Sequence, residues 1–305
     1  MKYLIIGSGA IGSCIGGFLT SVNKDVSFIS RGEKLKYLKE NGLRLKTDVK
    51  GDFYLPKVKA YSEAEYSDKA DVIFVCVKTY SFHNVLELIK KASHKNTIVI
   101  PTANGFGNGN RLSKSLPELH LLDGCVYIFT HIDGIGSVVQ KGNFFRFVFG
   151  PRKDDPIDSN LLNQVENDLK ESGITGILSK DIELDTFRKF TFISTFAACG
   201  AYYDITSKEM QEPGKYRDTF IELCKEIEAV GKKLGLKLDM DITADNLKIV
   251  DNNTPDTTSS MQRDIKEGKQ SEIDSIVFEV VRLAEKLGVE APAYKRIAEH
   301  FGYKN

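Results

Sequence analysis

"LIIGSGAIGSCIGG", residues 4–17, starts as a short apolar strand and crosses three glycines into an amphipathic segment from Ala10 to about Leu19. Gly7, Gly9 and Gly12 have G-x-G-x-x-G spacing. In that spacing the first glycine allows a tight turn and the second lets backbone approach a pyrophosphate. The third lets the helix pack closely on the strand. A pyrophosphate would then meet the N–H groups that a helix leaves unpaired at its start. Six residues make up this candidate cofactor turn: Gly7, Ser8, Gly9, Ala10, Ile11 and Gly12. Alone, the triplet is a weak signal. Its place between a first strand and a first helix, with a second strand ending near residue 30, strengthens it.

That second strand, "DVSFIS" (25–30), is followed by Arg31, with Glu33 and Lys34 close behind. A site for NAD places an acidic residue at the strand's end, to bind the ribose 2′-hydroxyl. An arginine there instead matches a 2′-phosphate, because its planar fork fits phosphate oxygens. The expected cofactor is therefore NADPH, with Lys34 as a possible assistant and Glu33 as the dissenting residue. Further on, "DVIFVCV" (71–77) is apolar throughout, as a strand covered on both faces requires. "SFHNVLELIKKA" (81–92) has helical periodicity and "NTIVI" (96–100) is another strand. Strand and helix in alternation predict a doubly wound α/β sheet of Rossmann type. "LRLKTD" and "DFYLPKV" suggest an inserted hairpin. From Asp123 to Gly150 the pattern suggests a late, strand-rich extension, followed by a polar helix over 159–172 and a short strand in "ITGILS".

Beyond about Ile182 strand signals stop. Helical patterns cover 183–200, 214–234, 241–250, 257–267, 271–287 and 293–301. The expected organisation is an N-terminal Rossmann-type domain over 1–180 and an all-α C-terminal domain over 181–305.

The 305 residues carry 42 basic and 42 acidic side chains, so no overall charge draws the chain to nucleic acid or to an anionic membrane. The five cysteines are odd in number and widely spaced, which argues against a disulfide framework. The five histidines show no metal-ligand spacing, and no metal is expected. The chain opens on "KYLII" rather than a charged leader, and no apolar stretch reaches spanning length. A cytoplasmic protein is the expectation, with neither nucleic acid nor membrane as partner.

"FRKFTFISTFAACG" (187–200) poses the chemical question. On a helix, Lys189 shares a face with Phe192, Ile193 and Phe196. A cation on such a face either snorkels to water or is held in a cleft for chemistry. Cys199, deep in the run, reads as core rather than nucleophile. His131 reads as a strand-end residue, and "FFRFVFG" (144–150) as a buried strand with Arg146 at an interface.

Over nearly its whole length the sequence resembles the ketopantoate reductase (2-dehydropantoate 2-reductase) family, which reduces ketopantoate to pantoate with NADPH on the way to pantothenate and coenzyme A. "GSGAIG" and Arg31 match the family's cofactor turn and 2′-phosphate arginine. "VKTY" (77–80) matches its strand-end lysine, Lys78, and "ANGFG" (103–107) its Asn-Gly motif with Asn104. "FRKF" and "SSMQRDIKEGKQSEID" (259–274) complete the match. The resemblance implies a site in the cleft between two domains. Lys189 would be the proton donor, and Asn104, Ser260 and Glu272 would contact a small 2-keto acid substrate. Asn104 and Glu272 would also border the cofactor, and a homodimer is among the implied assemblies. Glu272, after Ser271 at an expected helix start, would stay ionised in a first turn.

One departure bears on the substrate. Well-known members carry asparagines one and two turns past the lysine, where this chain has Ile193 and Ala197. Two amides lost from a site built for a hydroxylated substrate weaken selectivity. A reductase of another short 2-keto acid is therefore the second reading, and a non-catalytic NADP-binding regulator the third. A regulator needs neither Lys189 nor Glu272.

Overall fold

Strand β1 (Lys2–Ile6) is buried after its first residue, and its side chains alternate between two cores. In the computed structural model, which describes residues 1–153 and 157–304, the chain divides into two compact units. Unit 1 runs from Met1 to Ala103 and from Gly107 to Ile182. Unit 2 holds Asn104–Phe106 and the chain from Glu183 onward.

After β1, unit 1 continues with α1 (Ala10–Thr20), β2 (Asp25–Ile29), α2 (Gly32–Asn41), β3 (Leu43–Thr47), β4 (Phe53–Leu55) and β5 (Lys59–Tyr61). Next come β6 (Ala70–Val75), a 3₁₀ turn over Thr79–Val85, α3 (Leu86–Ala92), β7 (Ser93–Pro101) and α4 (Asn108–Ser113). The unit closes with β8 (His120–Leu121), β9 (Asp123–Ile132), β10 (Ser137–Gly150), α5 (Ser159–Ser172) and β11 (Thr175–Leu178).

Six strands form a parallel sheet in the order β5-β2-β1-β6-β7-β8. Tyr3, Ile5, Phe28, Phe74 and Ile98 face one core, while Leu4, Ile6, Ile29, Ile73 and Val99 face the other. This period-two division puts apolar side chains on both sides, so helices must cover both. Ile15 and Phe18 of α1 and Val165 and Leu169 of α5 cover the first side; Phe82, Leu88, Ile89 and Leu112 cover the second. Each fully buried phenylalanine or leucine contributes about 1.5–3 kcal/mol. A buried phenol ties the layers together. Tyr3 Oη donates to Asp168 of α5 at 2.5 Å, and Asp168 also accepts from Lys24 at 2.9 Å. Burial, with the adjacent carboxylate, pushes the Tyr3 phenol well above its usual range.

The predicted hairpin and the predicted extension are not separate features. β3 pairs antiparallel with β4 and parallel with β10, and β10 also pairs with β9 and β11. Together they make a second sheet whose Phe145, Phe147 and Phe149 enter the first core. The sequence carries no mark of this joining, because Arg44 pairs with Ser137 across more than ninety residues. Helix α2 was also absent from the predicted elements. Of its ten residues only Leu38 is fully buried, so there is no apolar stripe to read.

Unit 2 takes α6 (Ile182–Tyr203) from its second residue on, followed by α7 (Ser207–Gln211), α8 (Lys215–Lys233), α9 (Ile242–Asn252) and α10 (Ser260–Lys266). A π-helical turn over Asp274–Phe278 runs directly into α11 (Glu279–Leu287), and α12 (Pro292–His300) follows. Thr206 and Glu209 form a reciprocal capping box at α7. The Glu226 carboxylate, from α8, accepts the first N–H groups of α12 from Ala293 (2.8 Å) and Tyr294 (2.9 Å). A helix start left unpaired indoors would be costly, and a borrowed carboxylate removes that cost. The α/β unit followed by an all-helical unit agrees with the predicted fold class.

The turn after β1 and helix α1 pack closely. A Cβ added at Gly12 would sit 2.1 Å from the Gly7 carbonyl oxygen and 3.0 Å from Cys76 Cβ. Gly12→Ala is expected to cost at least about 2 kcal/mol, since backbone rather than a movable side chain must give way. Urea unfolding measures this, and an unchanged midpoint would contradict the close approach.

Candidate functional site

The turn after β1 has the form the glycine spacing predicts. Gly7 lies at φ +97°, where a side chain would also strike Val77 and Cys76. A Cβ at Gly9 would meet nothing within 4 Å, so that residue borders open space. Gly9 is the N-cap of α1, and no side chain caps the helix there. Ser8, Gly9, Ala10, Ile11 and Gly12 thus carry the turn into the first helical turn. A bare helix start facing open space fits a pyrophosphate.

At the end of β2, Ser30 is buried, and the Ser8 hydroxyl donates to its Oγ at 2.8 Å. Arg31 is the exposed N-cap residue of α2, and its guanidinium makes no hydrogen bond or ion pair among the described residues. It is thus available to an anion. Glu33 is exposed on the first turn of α2. Lys34, half-buried, turns toward the glycine turn and donates to the Ser8 carbonyl oxygen. Burial lowers its pKa. Lys78 lies beyond the end of β6, half-buried at the start of the 3₁₀ turn.

In unit 2, α6 brings two of the predicted residues together. Lys189 Nζ donates to Asn104 Oδ1 at 2.9 Å, across 85 positions of sequence. Asn104 is held there through its neighbour Phe106. The Phe106 ring stacks on Phe190 and meets Phe187 edge-on, with centroids 6.0 and 5.1 Å apart. This explains why three residues from the middle of the chain belong to the helical unit. The one signal in the sequence was an aromatic inside an otherwise small, polar loop.

Lys189 is half-buried, as are Phe192 and Ile193, while Phe196 is buried and stacks on Phe192. Ala197 is fully buried in the helical core. The hydroxyls nearby do not replace the missing amides. Thr195 Oγ1 bonds back to the Thr191 carbonyl at 2.8 Å. Ser194 Oγ donates to the Ile276 carbonyl in the π-helical turn at 2.6 Å and lies 2.8 Å from Tyr294 Oη. Both hydroxyls are consumed by the interior of the unit.

Ser260 is the first residue of α10 and is half-buried. The cap of that helix is its neighbour Ser259, whose side chain accepts the Gln262 N–H. Gln262 anchors α10 beside the end of α6 by donating to the Ile205 carbonyl at 2.8 Å. Glu272 is only 3% exposed, unusual for a carboxylate. It precedes the helix rather than lying in an α-helical first turn: the segment continues as a π turn, and the Glu272 carbonyl accepts from Ser275 and Ile276. π turns often occur at functional positions.

Cys199 and His131, read as bland, behave so, whereas Phe144 of the stretch read as buried is exposed. Cys199 is fully buried, with its thiol pushed up to about 12 by desolvation. His131 is exposed near the end of β9. Arg146 stacks over Tyr127 at 3.9 Å. Among the described residues no group of three or more metal-ligating side chains is gathered, and no helix is long and apolar enough to cross a membrane.

Comparison with known proteins adds two family matches. Residues 3–154 match the model for ketopantoate reductase PanE/ApbA, and residues 181–304 match the model for its C-terminal part. The chain is 25% identical over 297 residues to an uncharacterized oxidoreductase, YkpB, of Bacillus subtilis, covering 97% of this chain and 96% of that one. It is 27% identical over 311 residues to a 2-dehydropantoate 2-reductase of Aquifex aeolicus, covering 98% and 95%. Among solved structures, a PanE/ApbA family ketopantoate reductase from Ralstonia eutropha JMP134 superposes with a TM-score of 0.87. Its identity is 26%, with 98% of this chain and 97% of that one covered.

Ser194→Ala would leave the Ile276 carbonyl and the Tyr294 hydroxyl without this partner in a dry interior. A loss of about 1–3 kcal/mol in unfolding free energy is expected. Unchanged thermal and urea midpoints would show that the brace carries no energy.

Proposed function

The chain belongs to the ketopantoate reductase family, an oxidoreductase family, and on that premise we propose that it reduces 2-dehydropantoate to (R)-pantoate with NADPH, in the biosynthesis of pantothenate and coenzyme A. Gly7, Ser8, Gly9, Ala10, Ile11 and Gly12 would hold the pyrophosphate, and Arg31 the 2′-phosphate. Lys78, Asn104 and Glu272 would border the cofactor. The reduced nicotinamide supplies a hydride for the ketone carbon.

What remains is a proton for the ketone oxygen, and this falls to Lys189. The alkoxide that hydride addition creates takes a proton from Nζ, and water reprotonates the amine. Before that, the ammonium offers the oxygen a charged donor where negative charge develops. The observation that carries this reading is the 2.9 Å bond from Lys189 to Asn104. The amide oxygen is a neutral acceptor that aims the ammonium without adding a charge of its own. Ser260 and Glu272 would hold the substrate's carboxylate and hydroxyl, respectively.

A second reading keeps the chemistry and changes the substrate to another short 2-keto acid. Ile193 and the fully buried Ala197 favour it, because neither offers a hydrogen bond and the hydroxyls nearby are consumed indoors.

Purified protein is expected to oxidise NADPH when given ketopantoate, and Lys189→Ala is expected to lower kcat by about 10²–10⁴-fold. Normal turnover in that variant would remove Lys189 from the mechanism. A panel of short 2-keto acids ranked by kcat/KM separates the two substrates: ketopantoate ranking low selects the second. Tight NADPH binding with no turnover on any keto acid would select a regulator instead.

A further inference from the structure

The Ser8–Gly9 peptide is gripped by its carbonyl. Two donors from different helices converge on the Ser8 oxygen: Ser13 Oγ, from the first turns of α1, at 2.9 Å, and Lys34 Nζ, from the first turn of α2. The bond from the Ser8 hydroxyl to Ser30 fixes the same residue from a third side. The peptide is planar and trans, so its N–H points opposite to its C=O. With the oxygen drawn in by two donors, the Gly9 N–H must face the other way. On Gly9, the position a Cβ would take is open, with no heavy atom within 4 Å.

We propose that Lys34 and Ser13 are positioning residues, which lock the Ser8–Gly9 peptide with its N–H turned toward the dinucleotide's pyrophosphate, and that Lys34 does not read the 2′-phosphate. The proposal rests on the reading of this turn as a nicotinamide dinucleotide site. A glycine-rich turn left to itself samples many conformations, and ordering it on binding costs affinity. Pinning the carbonyl beforehand removes part of that cost. A bond from an ammonium is also stronger than one from a neutral donor, and it polarises the peptide so that the opposite N–H becomes a better donor. Because the Lys34 ammonium is committed to a backbone oxygen, Arg31 is left as the cation at the end of β2 with no partner among the described residues.

The division of labour has a measurable signature, because NADPH and NADH share the pyrophosphate and only NADPH has the 2′-phosphate. Both dinucleotides are titrated into the wild type, Lys34→Met, Lys34→Arg, Ser13→Ala and Arg31→Leu, following the fluorescence of the bound nicotinamide. Lys34→Met is expected to raise both dissociation constants by the same factor, about tenfold, the size of losing one charged hydrogen bond. Ser13→Ala should raise both by a smaller common factor. Lys34→Arg should recover most of the affinity, and Arg31→Leu should weaken NADPH alone. Thermal melting of each unliganded variant checks folding; if Lys34→Met does not fold, Lys34→Arg and Ser13→Ala decide. The inference is overturned if a variant of Lys34 or Ser13 weakens NADPH selectively, or if neither position affects either dinucleotide. A folded wild type that binds neither dinucleotide would overturn the cofactor reading itself, a different result.

Discussion

One helix has two demands placed on it. The 22 residues of α6 must bury nearly their whole circumference and still present one ammonium group. Phe187, Phe190, Phe196, Ala197, Ala198 and Cys199 all lie in the helical core. A helix apolar all round belongs inside a bundle, so its few polar atoms need partners or a purpose. Thr191, Ser194 and Thr195 have partners: each hydroxyl bonds to a backbone carbonyl. Lys189 is held differently, at a half-buried position against an amide oxygen. The other features of unit 2 refer back to this helix. Phe106 docks on it, the π-helical turn is braced to it through Ser194, and α10 is anchored beside its end through Gln262.

Unit 1 depends on an absence of atoms. Helix α1 approaches β1 so closely that the third glycine of the turn touches the first, and no side chain fits between them. That approach places the start of α1 beyond the C-terminal end of an interior strand of a parallel sheet, bare of any side-chain cap. Polar groups are then spent behind the turn rather than on it: Ser13, Ser30 and Lys34 hold Ser8 from behind. A rigid, uncapped helix start serves an anion better than a flexible one, because less order is lost when the anion arrives. In both units the hydroxyls nearby are taken up by internal hydrogen bonds.

The predicted elements that held were those with local causes. Strands apolar on both faces, the glycine turn, the capped helices and the core thiol could each be read within a window of a few residues. Failures had non-local causes or no apolar pattern. The second sheet depends on Arg44 finding Ser137, and α2 is a helix with only one fully buried side chain. The segment over 271–287 was readable as helix, yet its π-helical opening was not. That irregularity accompanies a carbonyl bond from Ser194, eighty-two residues away. Lys34 shows the same limit at a smaller scale. Beside Arg31 in the sequence it suggests a second phosphate ligand, but its side chain runs back to the Ser8 carbonyl.

By itself the sequence determined which chemistry was possible: a glycine turn for a dinucleotide, an arginine at a strand end, one lysine in an apolar helix. These are matters of residue type and short spacing, and short spacing sets local geometry. Tertiary structure decided who holds whom. It took Asn104 from the α/β half of the chain and placed it on Lys189, because the Phe106 ring gains more by joining two phenylalanines than by staying in a loop. It also buried Glu272 and closed the space beside Ala197. Burial and partnership arise from contacts between distant parts of the chain, and no local window contains them.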